Sequence, residues 1–313
     1  MAKVKTFKTI FPAVSVPLND DYSINEPEFR AYLRWIKTFY GKGMDGLVCN
    51  GHTGEITGLT RAERKRVVEI CAEECGDVMT IISGVNCENT AESIEMAKEA
   101  KEAGADGILL MPPHMWLRFG MNPDAPFEYV KDVAEGADID IIIHLYPATS
   151  KAFYPVETLI KMCKEIDHVK CIKMGTRVTS IYEHDVRLLR QECPDISLIT
   201  CHDETLCVSW FPGMDGALIG FAGCVPEIIC PAREVFANPD KHTLKEAQDW
   251  SDRIYHISQA IYGGGQPSGE AHARLKEALK QRGIFKSALM RKPVLPLNDE
   301  EKAWVALGLE RSQ

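Results

Sequence analysis

Lys173 is the residue of this 313-residue chain whose position most needs explaining. It closes the apolar run Val169-Lys170-Cys171-Ile172-Lys173-Met174, and an ammonium set in such surroundings without a partner is costly. In an extended strand Val169, Cys171 and Lys173 share one face, which would carry the amine inward. Lys170 has the opposite parity and reads as a surface or structural lysine. Desolvation lowers a lysine's pKa and leaves neutral amine able to attack a carbonyl carbon. The competing reading is a lysine that snorkels out at the strand end or pairs with a carboxylate.

Other polar groups end other apolar runs. Tyr146, near the end of 139–147, offers a phenolic proton relay, or else rim packing. Gly51-His52-Thr53-Gly54, after 45–50, reads as a tight turn whose glycines expose backbone N–H groups to a carboxylate, with the Thr53 hydroxyl as a further donor; the alternative is an ordinary loop. His52 and His114, with ordinary pKa values near 6.5, suit acid–base work or serve as hydrogen-bonding spacers. Trp116 presents an indole that can stack on an aromatic aldehyde, or else pack against the protein or a subunit neighbour. His202-Asp203-Glu204, with Glu55 or His144, supplies ligand types for a divalent ion and hence metal-dependent aldol chemistry. Those three are consecutive and need not converge, and no spaced metal motif accompanies them.

These groups need a frame. Eight continuous apolar runs recur at 9–17, 45–50, 78–85, 106–113, 139–147, 168–175, 196–203 and 215–223. Continuous hydrophobicity indicates strands buried on both faces. Between them lie helix-periodic segments with helix punctuation. Asn25-Glu26-Pro27 opens one, whose apolar face is Phe29, Tyr32, Leu33 and Ile36 and which Gly41 ends. Thr60 through Glu63 has capping-box spacing, and Thr90 stands at a second helix start. Gly76 and Gly104 mark helix ends. Asn122-Pro123, Tyr154-Pro155 and Val225-Pro226 open later helices. Eight strands spaced roughly 20 to 35 residues apart predict an α/β fold, a (β/α)8 TIM barrel, over an open doubly wound sheet. No GxGxxG or GxxxxGK[ST] follows any run.

The expected division is a catalytic barrel core over 1–225, then the last barrel helix and a C-terminal helical region over 226–313. Helical segments are expected near 243–262, 270–282 and 299–307. Gly263-Gly264-Gly265 has no strand before it and reads as a loop between helices.

Composition is globular, with 45% apolar and 26% charged residues, and the net charge of −9 disfavours nucleic acid and anionic membrane as partners. No stretch approaches the ~20 apolar residues that span a bilayer, and no signal peptide is read at the N-terminus. Eleven cysteines lack CxxC or zinc spacing and are expected as buried thiols in a reducing, cytoplasmic setting.

The Gly-x-Thr-Gly-Glu motif at 51–55, Tyr146 at the end of the fifth run and Ile172-Lys173 at the end of the sixth together resemble the dihydrodipicolinate synthase/N-acetylneuraminate lyase family, which consists of class I aldolase barrels. The likeness spans Phe11 to about Pro226, and Val294 through Glu301 resembles the family's closing segment. The resemblance implies a Schiff base between Lys173 and a 2-oxo acid, typically pyruvate. Tyr146 would move protons, and Thr53 with nearby backbone would hold the carboxylate. The backbone around Leu218, Ile219 and Gly220 would border the pocket. It implies a lyase without a cofactor or metal, acting on a 2-oxo acid and an aldehyde, and a homo-oligomer, either dimer or homotetramer.

Departures from the family pattern bear on the substrate. His52 stands where dihydrodipicolinate synthases carry a second hydroxyl residue, and Pro113-His114 where they carry a second tyrosine. Lys151 replaces an arginine that holds the second substrate's carboxylate, keeping the charge and losing the bidentate fork. Met115-Trp116 resembles the aromatic branch, the hydratase-aldolases that split benzylidenepyruvates. The expected reaction is therefore aldol cleavage or formation, of the aromatic hydratase-aldolase or 2-keto-3-deoxy sugar acid type. Dihydrodipicolinate synthesis, sugar-acid dehydration and a non-catalytic 2-oxo acid binding barrel are the alternatives.

Overall fold

The computed structural model describes residues 3–263 and 269–313. The strands are β1 (Ile10–Pro12), β2 (Gly46–Cys49), β3 (Thr80–Val85), β4 (Gly107–Leu110), β5 (Asp140–His144), β6 (Val169–Met174), β7 (Ser197–Thr200) and β8 (Gly216–Ile219). All neighbours pair in parallel, in the order β1-β8-β7-β6-β5-β4-β3-β2. A parallel bridge from Ala13 to Val48, with Val14 N donating to Val48 O at 2.9 Å, joins the two ends of the sheet. The expected TIM barrel is the observed fold.

Helices alternate with the strands: α1 (Glu26–Lys37), α2 (Arg61–Cys75), α3 (Thr90–Glu102), α4 (Met115–Phe119), α5 (Ala125–Ala137), α6 (Val156–Glu165), α7 (Thr179–Glu192), α8 (Leu206–Trp210) and α9 (Pro226–Ala237). The C-terminal extension adds α10 (Leu244–Tyr262), α11 (Ala271–Gln281) and α12 (Asp299–Arg311). The Thr60/Glu63 capping box forms, and α1 buries the expected Phe29, Tyr32, Leu33 and Ile36. Two helix starts move. Asn89, not Thr90, caps α3, because its side chain accepts the Glu92 N–H. The segment after Asn122-Pro123 becomes helical only at Ala125, since the short α4 precedes it. Of the triple glycine, Gly264 and Gly265 lie outside the described residues.

The interior is filled by Phe11, Val48, Ile82, Leu109, Met111, Ile142, Cys171, Ile199 and Leu218, drawn from every strand or its end. Such a packed plug is the floor on which an active site stands at the C-terminal end of a barrel. Two residues further along, the same inward parity reaches His144, Lys173, Cys201 and Gly220. Val169 breaks the expected face. The β5–β6 register shifts between Ile141 and Ile142, pairing Ile141 with Val169 and Ile142 with Cys171. Val169 therefore joins the outer core between barrel and helices, while Cys171 and Lys173 stay inward.

One buried charge on α7 gives a stability test. Asp185 is 3% exposed, and its Oδ2 has no hydrogen-bond partner among the described residues. Burial raises its pKa from 3.8 to about 6, with the Glu157 charge adding and His184 opposing. The folded state thus holds a proton that the unfolded state releases first, so stability falls as pH rises through that window. Asp185→Asn is expected to unfold later than the parent at pH 7.5, by about 1–3 kcal/mol, with the gap closing below pH 4. Urea melts at both pH values check this, and an equal gap at the two would contradict it.

Candidate active site

Lys173 sits opposite His144 in the β5–β6 register, with both side chains entering the barrel above the plug. Lys173 is partly exposed towards the mouth, yet Nζ has no ion-pair or hydrogen-bond partner among the described residues. Burial lowers its pKa below the ordinary lysine value; Arg177 pushes the same way, while Cys201 and Asp203 oppose. The chain thus keeps an amine that gives up its proton more readily than a surface lysine does.

Tyr146, 8% exposed, lies beyond β5, and its ring stands edge-on to His144 at 4.9 Å. Its hydroxyl is 3.3 Å from His52 Nε2. Burial, with the Glu88 charge, raises the Tyr146 pKa above its ordinary value. The hydroxyl stays protonated and can donate to His52 in the tautomer with its proton on Nδ1. His52 is held neutral: burial, then Lys173, His272 and His114, lower its pKa to about 3. His114 lies parallel to His52, with centroids 6.3 Å apart, and is 3.2 Å from Asn86 Nδ2. Thus Lys173, His144, Tyr146, His52 and His114 share one mouth.

The Gly51–Glu55 turn closes through Glu55 N to His52 O (3.0 Å) and Ile56 N to Gly51 O (3.2 Å). The N–H groups of Thr53 and Gly54 have no bond within the described residues. Gly54 packs closely here: a Cβ would lie 3.1 Å from Val14 O and would push that backbone back. Thr53 reaches Gly220 after β8, where a Cβ would lie 3.3 Å from Thr53 Oγ1 and 2.6 Å from the Tyr262 hydroxyl. The Leu218 side chain belongs to the plug and that of Ile219 to the outer core, while Gly220 lies against Thr53.

Trp116 and Lys151 have protein partners of their own. Trp116 packs edge-on against Tyr129 (5.7 Å) and Tyr154 (6.2 Å). Lys151 Nζ donates to Arg118 O at 3.0 Å and is exposed. His202, Asp203 and Glu204 diverge as consecutive residues do. His202 meets the Tyr182 ring, Asp203 Oδ1 accepts Gly220 N (2.7 Å) and Phe221 N (3.2 Å), and Glu204 pairs with Arg177 at 2.6 Å. Among the described residues, no three His, Cys, Asp or Glu side chains form a group able to hold a metal ion.

A model of the dihydrodipicolinate synthetase family matches residues 6–311. This chain belongs to that family. It is a lyase of the pyruvate-dependent, class I aldolase kind. Among its curated relatives is the 4-hydroxy-tetrahydrodipicolinate synthase of Bartonella bacilliformis, 26% identical over 97% of this chain and 98% of the relative. An uncharacterised DapA-like lyase of Thermofilum pendens is 25% identical over 93% and 92%. Among solved structures, an E. coli K12 prophage protein of the dihydrodipicolinic acid synthase family, in complex with pyruvate, superposes with a TM-score of 0.87 at 21% identity, covering 98% of each chain. A monomeric dihydrodipicolinate synthase variant does so with 0.86 at 19%, covering 98% and 97%.

Several groups of the mouth escape sequence reading. His272, in the first turn of α11, lies near enough to Lys173 and His52 for their charges to act on one another; burial, then Lys276 and Lys173, lower its pKa to about 4. Lys276, one turn on, is buried in an ion pair with Glu55 and donates to Leu289 O at 2.9 Å. The available signal is a His and a Lys at i, i+4 beside the apolar Ala271, Leu275 and Leu279. Asp203 is buried, which raises its pKa to about 6; its carboxyl also bonds the Tyr262 side chain and lies close enough to Lys173 for their charges to interact.

Proposed function

We propose that Lys173 forms a Schiff base with C2 of pyruvate or a longer 2-oxo acid, and that the resulting enamine makes or breaks a carbon–carbon bond with an aldehyde. The observation that carries this reading is an inward amine of lowered pKa with no partner among the described residues, at one barrel mouth with the Tyr146–His52 pair and a turn whose Thr53 and Gly54 N–H groups are unbonded within the described residues.

Neutral Lys173 attacks C2, and the carbonyl oxygen leaves as water with one proton from the lysine nitrogen and one from the Tyr146 hydroxyl, which becomes a phenolate. The iminium withdraws electrons, so the Tyr146 phenolate takes a C3 proton, which restores its hydroxyl and leaves an enamine. In synthesis C3 adds to the aldehyde carbon, whose oxygen takes the Tyr146 proton; in cleavage the steps reverse, and water then releases the 2-oxo acid. The neutral His52 Nε2 accepts the Tyr146 hydroxyl hydrogen bond and so orients that hydroxyl, without taking its proton. Thr53 Oγ1 and the N–H groups of Thr53 and Gly54 receive the carboxylate.

Trp116 is engaged by Tyr129 and Tyr154, which lowers support for the aromatic hydratase-aldolase type and favours the 2-keto-3-deoxy sugar acid type. Dihydrodipicolinate synthesis needs a hold on a second carboxylate, and Lys151 instead bonds a backbone carbonyl. Sugar-acid dehydration shares the same imine and is separated by its product. No described helix is long and apolar enough to cross a membrane, and eleven free cysteines fit a reducing cytoplasm. Exposed Val208 and Phe211 on and just after α8 offer an apolar face for the homo-oligomer, dimer or tetramer, that we infer.

Borohydride added with pyruvate tests the imine. The peptide holding Lys173 is expected to gain a reduced pyruvate adduct by mass spectrometry, and an unmodified Lys173 would overturn the mechanism.

A further inference from the structure

A cavity of about 250 Å³ lies in the C-terminal extension, between α11, the 287–297 segment and α12, and none of the mouth residues lines it. Ala273, Leu289, Met290, Val294 and Leu297 give it an apolar floor. Four of these, Ala273, Met290, Val294 and Leu297, form a small core separate from those of the barrel. Tyr22, from the loop before α1, supplies another wall. Protein interiors leave few voids larger than a water molecule, and apolar ones take up apolar molecules. The volume falls just below the ~300–1,000 Å³ of drug-sized ligand sites, so the occupant is small.

Charge narrows the choice further. Lys280, Lys292 and Lys302 line the same cavity, against a single carboxylate, Glu277. That local excess of positive charge occurs in a chain whose net charge is −9. Glu277 is buried and already engaged, since Gln281 Nε2 donates to it at 3.0 Å and Lys280 Nζ lies 3.7 Å from its other oxygen. The Lys302 ammonium pairs with the fully exposed Asp299 of its own helix, a kind of pair that holds a lysine weakly. Lys292 is exposed and makes no ion pair among the described residues. An uncommitted ammonium beside an apolar floor matches a carboxylate that carries an apolar tail.

The walls of this cavity are bonded to the Gly51–Glu55 turn. Leu289 O accepts Lys276 Nζ at 2.9 Å, and Lys276 pairs with Glu55. Arg291 stands between the lining residues Met290 and Lys292. Its backbone N–H donates to Glu55 at 3.3 Å, its Nη1 to Gly58 O at 2.6 Å and its Nη2 to Tyr22 O at 2.7 Å. A shift or stiffening of the segment 289–292 therefore acts through these bonds on the turn that presents Thr53.

We propose that this cavity is a second binding site, for a small monocarboxylate with an apolar tail, and that its occupancy alters the affinity of the barrel for the 2-oxo acid. The tail lies on the Met290, Val294 and Leu297 floor, and the carboxylate meets Lys292. Binding itself is independent of the Schiff-base reading, while the coupling rests on the part of that reading that gives the 2-oxo acid to the Thr53 turn. Linkage makes the coupling reciprocal, so each ligand changes the affinity of the other by one factor.

The full chain is titrated by calorimetry with octanoate, with octanol, which keeps the tail without the charge, and with acetate, which keeps the charge without the tail. Octanoate is expected to bind at least about tenfold more tightly than either, because both halves of the site are used only by it. Lys292→Gln should weaken octanoate at least about threefold, and Val294→Phe, which fills the cavity, at least about tenfold. Saturating octanoate should change the pyruvate dissociation constant at least about twofold, and saturating pyruvate should change that of octanoate by the same factor. Octanol binding as tightly as octanoate, an affinity unmoved in both variants, or a pyruvate affinity indifferent to octanoate would each overturn the proposal. So would octanoate and pyruvate excluding one another equally in the parent and in Val294→Phe, which would put octanoate at the barrel mouth. If Val294→Phe does not fold, Lys292→Gln, altered at an exposed position, decides the location. Absence of a pyruvate adduct at Lys173 would count against the Schiff-base reading alone, since the octanoate titrations do not use it.

Discussion

Lys173→Ala is expected to lose turnover by a factor on the order of 10^5 or more, since the covalent route through the imine disappears with its nitrogen. Structure should survive, because the lysine amine bonds no protein group among the described residues. Circular dichroism and an unshifted melt check that point. Lys173→Arg should not rescue, because a guanidinium stays protonated and cannot attack a ketone. The pH profile adds a separate reading. Burial lowers the Lys173 pKa, so neutral amine is present at lower pH than for an ordinary lysine. Pyruvate-dependent trapping should accordingly persist towards neutral pH. Turnover of Lys173→Ala within tenfold of the parent would sink the assignment.

Tyr146→Phe should cut kcat by about 10^2–10^4, the usual contribution of a positioned proton donor, and should slow trapping of Lys173 by pyruvate without abolishing it, because the attacking amine is kept. The split between kcat and trapping matters more than the size. A tyrosine that only packs would leave kcat near the parent, because the phenyl ring and its 4.9 Å contact with His144 are kept. In the parent, the raised Tyr146 pKa means that no loss of rate near pH 9 to 10 arises from ionisation of this hydroxyl. Rapid-quench rates with pyruvate in both proteins check the expectation.

Much of this was legible in the residues. Continuous β-branched runs imply strands buried on both faces, and their number and spacing imply a closed ring. Lys173, Tyr146 and Thr53 stood out because each is a polar group at the carboxyl end of such a run, where a barrel places chemistry. What stayed hidden depends on distance in space. Val169 faces outward through a register shift between two strands, and pairing register is not written in either strand alone. The five-residue α4 and α8 are too short to show a period. Trp116 looks available in sequence, yet Tyr129 and Tyr154 come from later elements to engage it. His272 reaches the mouth from the C-terminal extension, roughly a hundred residues beyond Lys173, by a docking of helices that local pattern does not encode.

The ion pair between Lys276 and Glu55 gives the C-terminal extension a second role. Glu55 adopts a left-handed backbone conformation (φ 57°) next to the turn that presents Thr53, and Arg291 N also bonds its carboxylate at 3.3 Å. The C-terminal extension therefore acts as a clamp on the Gly51–Glu55 turn. Damage to the tail, by proteolysis or by a substitution remote from the mouth, should first surface as weakened affinity for the 2-oxo acid, with the barrel itself still intact.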